Sequence, residues 1–313
     1  MNNHFLSITD VDVAAMQRIF ATAKTLKYAE NNNRALSGKT LVMLFEKPSL
    51  RTRLSFEAGM TELGGHAVYL GPADIGLGTR ECISDIAKVA SSMGDMLMAR
   101  VFSHSTVYEL AKHSSVPVIN GLSDWEHPCQ ALSDLFTILE VKKKLEGLKL
   151  AFVGDGENNI VHSLVLAGAM TGMDVTVSSP KGYEVKPEIL LMADSLARKS
   201  GASIQLTVDP QEAVRGADVV YTDTWVSMGD EADAAARQRV FKPYQVNRRI
   251  MSLADKDGIF MHDLPAYRGN EVTADVIDGA RSVVFRQAEN RLHVQKALIL
   301  WLMGCYTDFK AKL

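Results

Sequence analysis

Cysteine is scarce in this chain. Three residues of 313, at positions 82, 129 and 305, make an odd set without metal-type spacing. That excludes a disulfide scaffold and points to a reducing cytoplasm as the natural compartment. Long uncharged runs are also missing. The longest stretch without Asp, Glu, Lys or Arg is Asn158 to Met173, sixteen residues, short of the roughly 20 apolar residues a membrane-spanning helix needs. No membrane partner is expected. The N-terminal segment carries Asp10 and Asp12 and no basic start leading into an apolar run, so it does not read as a secretory leader. A basic excess is absent too: 34 Lys and Arg stand against 37 Asp and Glu, a formal net charge of -3. A nucleic-acid partner normally demands the opposite balance, and none is expected. No short-period repeat or low-complexity tract appears, which excludes solenoids.

What is present is an ordinary globular composition, 47% apolar and 23% charged, which excludes disordered, collagen-like and coiled-coil chains. At roughly 150 residues per domain the length suits two domains. Short apolar runs alternate with helix-period segments. Strands are predicted at 41–45, 66–70, 96–101 and 116–120, and helices at 54–63, 83–93, 106–111 and 131–145. A second series predicts strands at 148–153, 174–178, 203–208 and 218–222, with helices at 159–170, 187–199 and 210–217. Strands at 258–261 and 282–285 close it, followed by a final helix over 291–309. Alternating strands and helices favour parallel sheets covered on both faces. The expected fold is therefore α/β, two domains, each a parallel sheet flanked by helices, with the ligand site in the cleft between them. The expected division is 1–140 plus the C-terminal helix 291–313, against 141–290.

In open parallel sheets ligands sit beyond the carboxyl ends of the strands, so the residues after each strand carry the functional signal. Ser49-Leu50-Arg51-Thr52 opens a helix. Free backbone N–H groups, hydroxyls and a guanidinium there form a ready phosphate site, although a bare Ser-x-Arg-Thr is more often an ordinary capped helix. Arg100 ends a strand, where a surface ion pair is the blander reading. His127-Pro128-Cys129-Gln130 starts the long helix, with proline suited to its first turn. His127 and Gln130 are left to meet a carbonyl or amide, or else to cap. Gly154-Asp155-Gly156-Glu157-Asn158-Asn159 looks superficially like a dinucleotide loop, but the third glycine is replaced by Asn159. Asp223, in Thr222-Asp223-Thr224-Trp225-Val226-Ser227-Met228-Gly229, could hold an ammonium, and the turn at 227–229 could face an anion. Met261-His262-Asp263-Leu264-Pro265 and Ala288-Glu289-Asn290-Arg291 complete the set. Each motif has a bland explanation singly. Together they place anion-binding residues in the front half and amine- and carboxylate-binding residues in the rear, as a phosphorylated donor and an amino-acid acceptor would require. No metal-ligand, paired-cysteine or Ser–His–Asp pattern stands out.

The sequence resembles the aspartate/ornithine carbamoyltransferase family over essentially its whole length. The marks are Lys47-Pro48-Ser49-Leu50-Arg51-Thr52-Arg53-Leu54-Ser55-Phe56-Glu57, His127-Pro128-Cys129-Gln130, Asp223-Thr224-Trp225-Val226-Ser227-Met228-Gly229 and Ala288-Glu289-Asn290-Arg291. The Asp-x-x-x-Ser-Met-Gly loop distinguishes the ornithine branch. The resemblance implies that Ser49, Leu50, Arg51 and Thr52 bind the phosphate of carbamoyl phosphate. It implies that Arg100, His127 and Gln130 hold the carbamoyl group, and that Arg291 reaches the same donor from the other domain. Asn159, Asp223, Ser227, Met228, Asp263 and Leu264 would bind ornithine. Arg51, Thr52, Arg100, His127 and Asp263 would form the catalytic set, without metal or cofactor. A homotrimer with active sites at subunit interfaces is the implied assembly.

Two departures stand out. The family usually has His-Cys-Leu-Pro where this chain has His262-Asp263-Leu264-Pro265, and many relatives carry Gln in the loop that reads Ile75-Gly76-Leu77-Gly78 here. Asp263 could attract the acceptor's side-chain ammonium, or hold that amine protonated and slow attack. Three alternatives stay open: another acceptor such as putrescine or an acylated ornithine, a dinucleotide-dependent oxidoreductase, and a catalytically silent relative damaged at Asp263.

Overall fold

The computed structural model describes residues 4–28, 34–78, 80–226 and 233–305. The chain divides into two compact units, Met1–Phe136 with Glu289–Leu313, and Thr137–Ala288. In chain order the elements are α1 (Val13–Tyr28), β1 (Thr40–Phe45), α2 (Leu50–Glu62), β2 (His66–Leu70), α3 (Pro72–Ile75), α4 (Ile83–Met93), β3 (Met96–Arg100), α5 (His104–His113), β4 (Val118–Leu122) and α6 (Pro128–Lys142). Then come β5 (Lys149–Val153), α7 (Asn159–Thr171), β6 (Asp174–Ser178), α8 (Pro187–Ser200), β7 (Ile204–Thr207), α9 (Pro210–Val214) and β8 (Val219–Tyr221). The chain continues with α10 (Ala234–Phe241), α11 (Arg248–Met251), β9 (Ile259–Met261), α12 (Ala274–Ile277) and α13 (Val284–Leu302).

The first unit holds a four-stranded sheet in the order β2-β1-β3-β4, and the second a five-stranded sheet in the order β7-β6-β5-β8-β9. Every pairing is parallel. The inner strands explain this. β3 is buried at every position and β1 from Leu41 to Phe45, so both faces need a helical cover, which parallel connections supply. The edge strand β7 differs: Gln205 and Leu206 are exposed there. One core gathers Val42, Leu44, Leu97 and Ala99 with Ile86 and Leu110; the other gathers Ala151, Val153, Val220 and Phe260 with Val214 and Ile250. Among the described residues no helix is long and apolar enough to cross a membrane.

Strand order locates the ligand-binding ends. In the first sheet the connections run one way from β1 to β2 and the other way to β3, so the chain reverses between β1 and β3. In the second it reverses between β5 and β8. At such points neighbouring loops diverge and leave a crevice. The loops so placed carry Ser49, those after β5 carry Asn158, and those after β8 carry Asp223.

One predicted element is overturned. No strand forms at 282–285: Ser282 makes a single bridge to Phe260, and α13 already begins at Val284. The helix therefore starts seven residues before Arg291.

Candidate active site

The first unit concentrates donors around one hydroxyl. Ser49 is the N-cap of α2 and its Oγ accepts the Thr52 N–H at 3.3 Å. Leu50, Arg51 and Thr52 thus form the first turn, where backbone N–H groups lack helical acceptors and the dipole favours an anion. Thr52 Oγ1 receives Ser49 Oγ at 3.1 Å, Arg291 Nη2 at 3.1 Å and Arg100 Nη1 at 3.4 Å. A hydroxyl oxygen has two lone pairs. Three donors converge on this one oxygen, a donor density suited to an anion. Arg100 is carried here because Phe45 and Arg100 pair at the ends of β1 and β3. Arg291 is oriented by Gln295, one turn on, whose Oε1 accepts Arg291 Nε at 3.2 Å and Ser55 Oγ at 3.0 Å. Gln295 carried no signal beyond its i,i+4 spacing from Arg291.

His127 reports the charge of this cluster. Its ring is held well below the usual histidine range, first by burial and then by the positive charges of Arg291, Arg100, Lys47 and Arg51. The ring is neutral at physiological pH and offers an N–H without an added charge. Below the ordinary value of 6.5 the unfolded chain binds a proton that the folded ring refuses, so stability falls as pH drops through that window. His127→Gln is expected to flatten this loss, read as a smaller drop in thermal midpoint between about pH 7 and 5. An unchanged slope would show a normally titrating ring. Nearby, Gln130 donates from Nε2 to Asp134 at 2.8 Å and keeps Oε1 buried without a hydrogen-bond partner, an acceptor suited to an amide N–H. Cys129 is no nucleophile: burial pushes its thiol up to about 12.

The second unit presents the opposite charge. Asn158 caps α7 through its Oδ1, which accepts the Ile160 N–H, and donates from Nδ2 to Asp223 Oδ2 at 2.7 Å. Asp223 Oδ1 accepts the Thr224 N–H at 2.7 Å. Asn159, the expected binder, is the first residue of α7 and half-buried; Asn158 is the one brought to Asp223. His262 Nδ1 accepts the Leu264 N–H at 2.9 Å while Nε2 faces Glu271 at 3.3 Å. That assigns the proton to Nε2. Asp263 Oδ1 lies 3.6 Å from Nδ1, and Asp223 Oδ1 lies 4.0 Å from it. Leu264 holds φ 61°, a region bulky residues enter only where surroundings dictate it. Ser227 and Met228 lie outside the described residues.

Asp223, His262 and Asp263 each offer a ligand atom within 4.8 Å of the others, a spacing that would admit a cation. The Nδ1 lone pair already serves Leu264, so the carboxylates are the available donors. The glycine loop after β5 does not serve a dinucleotide. A Cβ on Gly156 would lie 2.6 Å from Tyr183 O and 2.9 Å from Val185 N. The glycine lets the chain's own 183–185 segment approach.

Comparison with known proteins follows the same division. Residues 3–140 match the carbamoyl-P binding domain, and residues 146–302 the Asp/Orn binding domain, of aspartate/ornithine carbamoyltransferases. The chain belongs to the aspartate/ornithine carbamoyltransferase family. It is 53% identical over 302 residues to the ornithine carbamoyltransferase of Anoxybacillus flavithermus, covering 96% of each chain. The solved ornithine carbamoyltransferase of Pyrococcus furiosus superposes with a TM-score of 0.93 at 50% identity, covering 97% of each chain. The anabolic ornithine carbamoyltransferase of Campylobacter jejuni gives 0.92 at 42%, over 97% of this chain and 99% of that one. Gly76 caps α3 at φ 49°, a left-handed geometry that glycine adopts without strain.

Proposed function

We propose that the chain transfers the carbamoyl group of carbamoyl phosphate to the δ-amine of L-ornithine, giving L-citrulline and phosphate. The observation that carries this is the donor cluster on Thr52, fed by Arg100 and Arg291 beside a neutral His127. Residues 1–140 with 291–313 would hold the donor, and residues 141–290 the acceptor. Ser49, Leu50, Arg51 and Thr52 take the phosphate at the start of α2, joined by Arg291. Gln130 Oε1 accepts from the carbamoyl amide. In the second unit Asp223, steadied by Asn158, holds the α-ammonium. Asn159, Ser227, Met228 and Leu264 complete the acceptor's surroundings.

The reaction is acyl transfer by direct attack. As the amine nitrogen bonds to the carbamoyl carbon, negative charge grows on the carbonyl oxygen. Thr52, Arg100 and the His127 N–H stabilise it, and such donors count for most because they are fixed before charge develops. The leaving phosphate keeps its electron pair on the α2 start and Arg51. No enzyme acyl intermediate is required, in keeping with the inert Cys129 thiol. Holding both substrates in line contributes on the order of 7–11 kcal/mol at best. We further propose a homotrimer with active sites completed at subunit interfaces, working in the cytoplasm.

A citrulline assay with carbamoyl phosphate tests the reading. L-Ornithine is expected to be carbamoylated with kcat/KM at least about 10²-fold above putrescine and N-acetylornithine, because an acceptor without a matching charged group leaves buried polar groups unpaired. Putrescine turned over as well as ornithine would overturn the acceptor assignment.

A further inference from the structure

We propose that Gln295 is a positioning residue for the donor: acting through Arg291, it sets the affinity for carbamoyl phosphate. This rests on the carbamoyl-transfer reading above and adds to it a residue that has no role there. A free arginine side chain loses much rotamer freedom when it grips an anion. A guanidinium fixed beforehand leaves that cost out of binding, so whatever fixes Arg291 contributes to donor affinity.

Four buried residues close a ring between α2 and α13. Arg291 Nη2 donates to Thr52 Oγ1 at 3.1 Å, and Arg291 Nε donates to Gln295 Oε1 at 3.2 Å. The same Oε1 accepts from Ser55 Oγ at 3.0 Å, and Ser55 Oγ also reaches Thr52 O at 3.2 Å. Thr52 therefore fixes one nitrogen of the guanidinium and Gln295 fixes another. Two such points set the plane in which the fork meets phosphate oxygens. The helices do not depend on Gln295 to stay together. Lys296 Nζ reaches Glu62 Oε2 at 2.5 Å, and a Cβ on Gly59 would lie 3.2 Å from Lys296 Cγ. Beside the ring, α13 already packs closely on α2.

Packing alone does not call for an amide at position 295. Its Nε2 is buried and, among the described residues, meets no acceptor. Turning the amide over would set an N–H against Arg291, which can only donate. The oxygen therefore decides the orientation. A buried N–H left unpaired is costly, and an apolar side chain of like volume avoids that cost. The amide's contribution is the acceptor it offers to Arg291 and Ser55.

Gln295→Met removes the acceptor and keeps the length of the side chain. Kinetics are measured with each substrate varied while the other saturates, and inorganic phosphate is titrated as an inhibitor against carbamoyl phosphate. The KM for carbamoyl phosphate and the inhibition constant of phosphate are expected to rise together by about five- to tenfold, the size of one hydrogen bond to a charged group. The KM for L-ornithine stays within about twofold, and kcat falls by less than the donor KM rises. The thermal midpoint holds or climbs, because the unpaired N–H has gone. A double-mutant cycle gives the second arm. In an Arg291→Met background the Gln295 substitution adds less than about twofold, since the group it positions is absent. Three results overturn the positioning role and leave carbamoyl transfer standing: an unchanged donor KM in Gln295→Met, a rise in both KM values with a fallen midpoint, or the full added rise in the Arg291→Met background. A wild-type protein that forms no citrulline overturns the carbamoyl-transfer reading and this one with it.

Discussion

Arg100→Ala is expected to lower kcat by about 10²- to 10³-fold, the usual cost of removing one fixed donor to a developing oxyanion. The side chain is buried, closes β3 and reaches Thr52 Oγ1. Its loss takes a positive charge from a cluster that already holds Arg291, Lys47 and Arg51 near His127. Relief of like-charge crowding offsets part of the lost packing, so the thermal midpoint should move by only a few degrees. Arg51→Ala should behave alike, with a larger share of its loss in the KM for carbamoyl phosphate, since the proposed site gives Arg51 to the phosphate. The measurement is kcat, both KM values and the midpoint for each variant. Turnover and stability falling in step would mean that Arg100 is structural and the donor assignment is wrong.

Gly156→Ala is expected to damage the other substrate's half. A Cβ there meets Tyr183 O at 2.6 Å, Val185 N at 2.9 Å and Glu184 C at 3.0 Å. All three are backbone atoms and none can swing aside. Gly156 N–H also donates to Tyr183 O at 2.9 Å, so the loop must either break that bond or shift. Either outcome moves Asn158, two residues on, and with it the partner of Asp223. The expected cost is about 1–3 kcal/mol of stability, as for other overpacked sites, with at least a tenfold rise in the KM for ornithine. The KM for carbamoyl phosphate should hold. Kinetics with each substrate varied separately decide the matter; a rise in both constants together would point to general unfolding instead.

The alternation of strands and helices was legible because inner parallel strands are apolar on both faces, as 41–45 and 96–100 show. Motifs at strand ends were legible for a related reason: residue types such as Ser-x-Arg-Thr have few uses beside a helix start. Other features resisted. Asn158 and Asn159 are adjacent and chemically identical, and that Asn158 bonds Asp223 follows from a contact spanning 65 residues, which no local pattern shows. Gln295 is one of many polar residues on a helix until Arg291 and Ser55 meet it. The apolar run at 282–285 has strand chemistry, yet α13 claims its second half. Helix α1, Val13–Tyr28, mixes Lys and Arg among its apolar positions and gives no comparable signal.

The β5 and β8 loops carry Asp155, Glu157 and Asp223, whereas the β1 and β3 loops carry Lys47, Arg51 and Arg100 against one carboxylate, Glu46. On the proposed assignment, polarity sorts the two substrates before any shape is read. A doubly negative donor is repelled from the acidic seat, and a cationic amino acid gains nothing from the basic one. Mis-seating is discouraged from both directions, and each substrate should be a feeble competitor for the other's place even at high concentration.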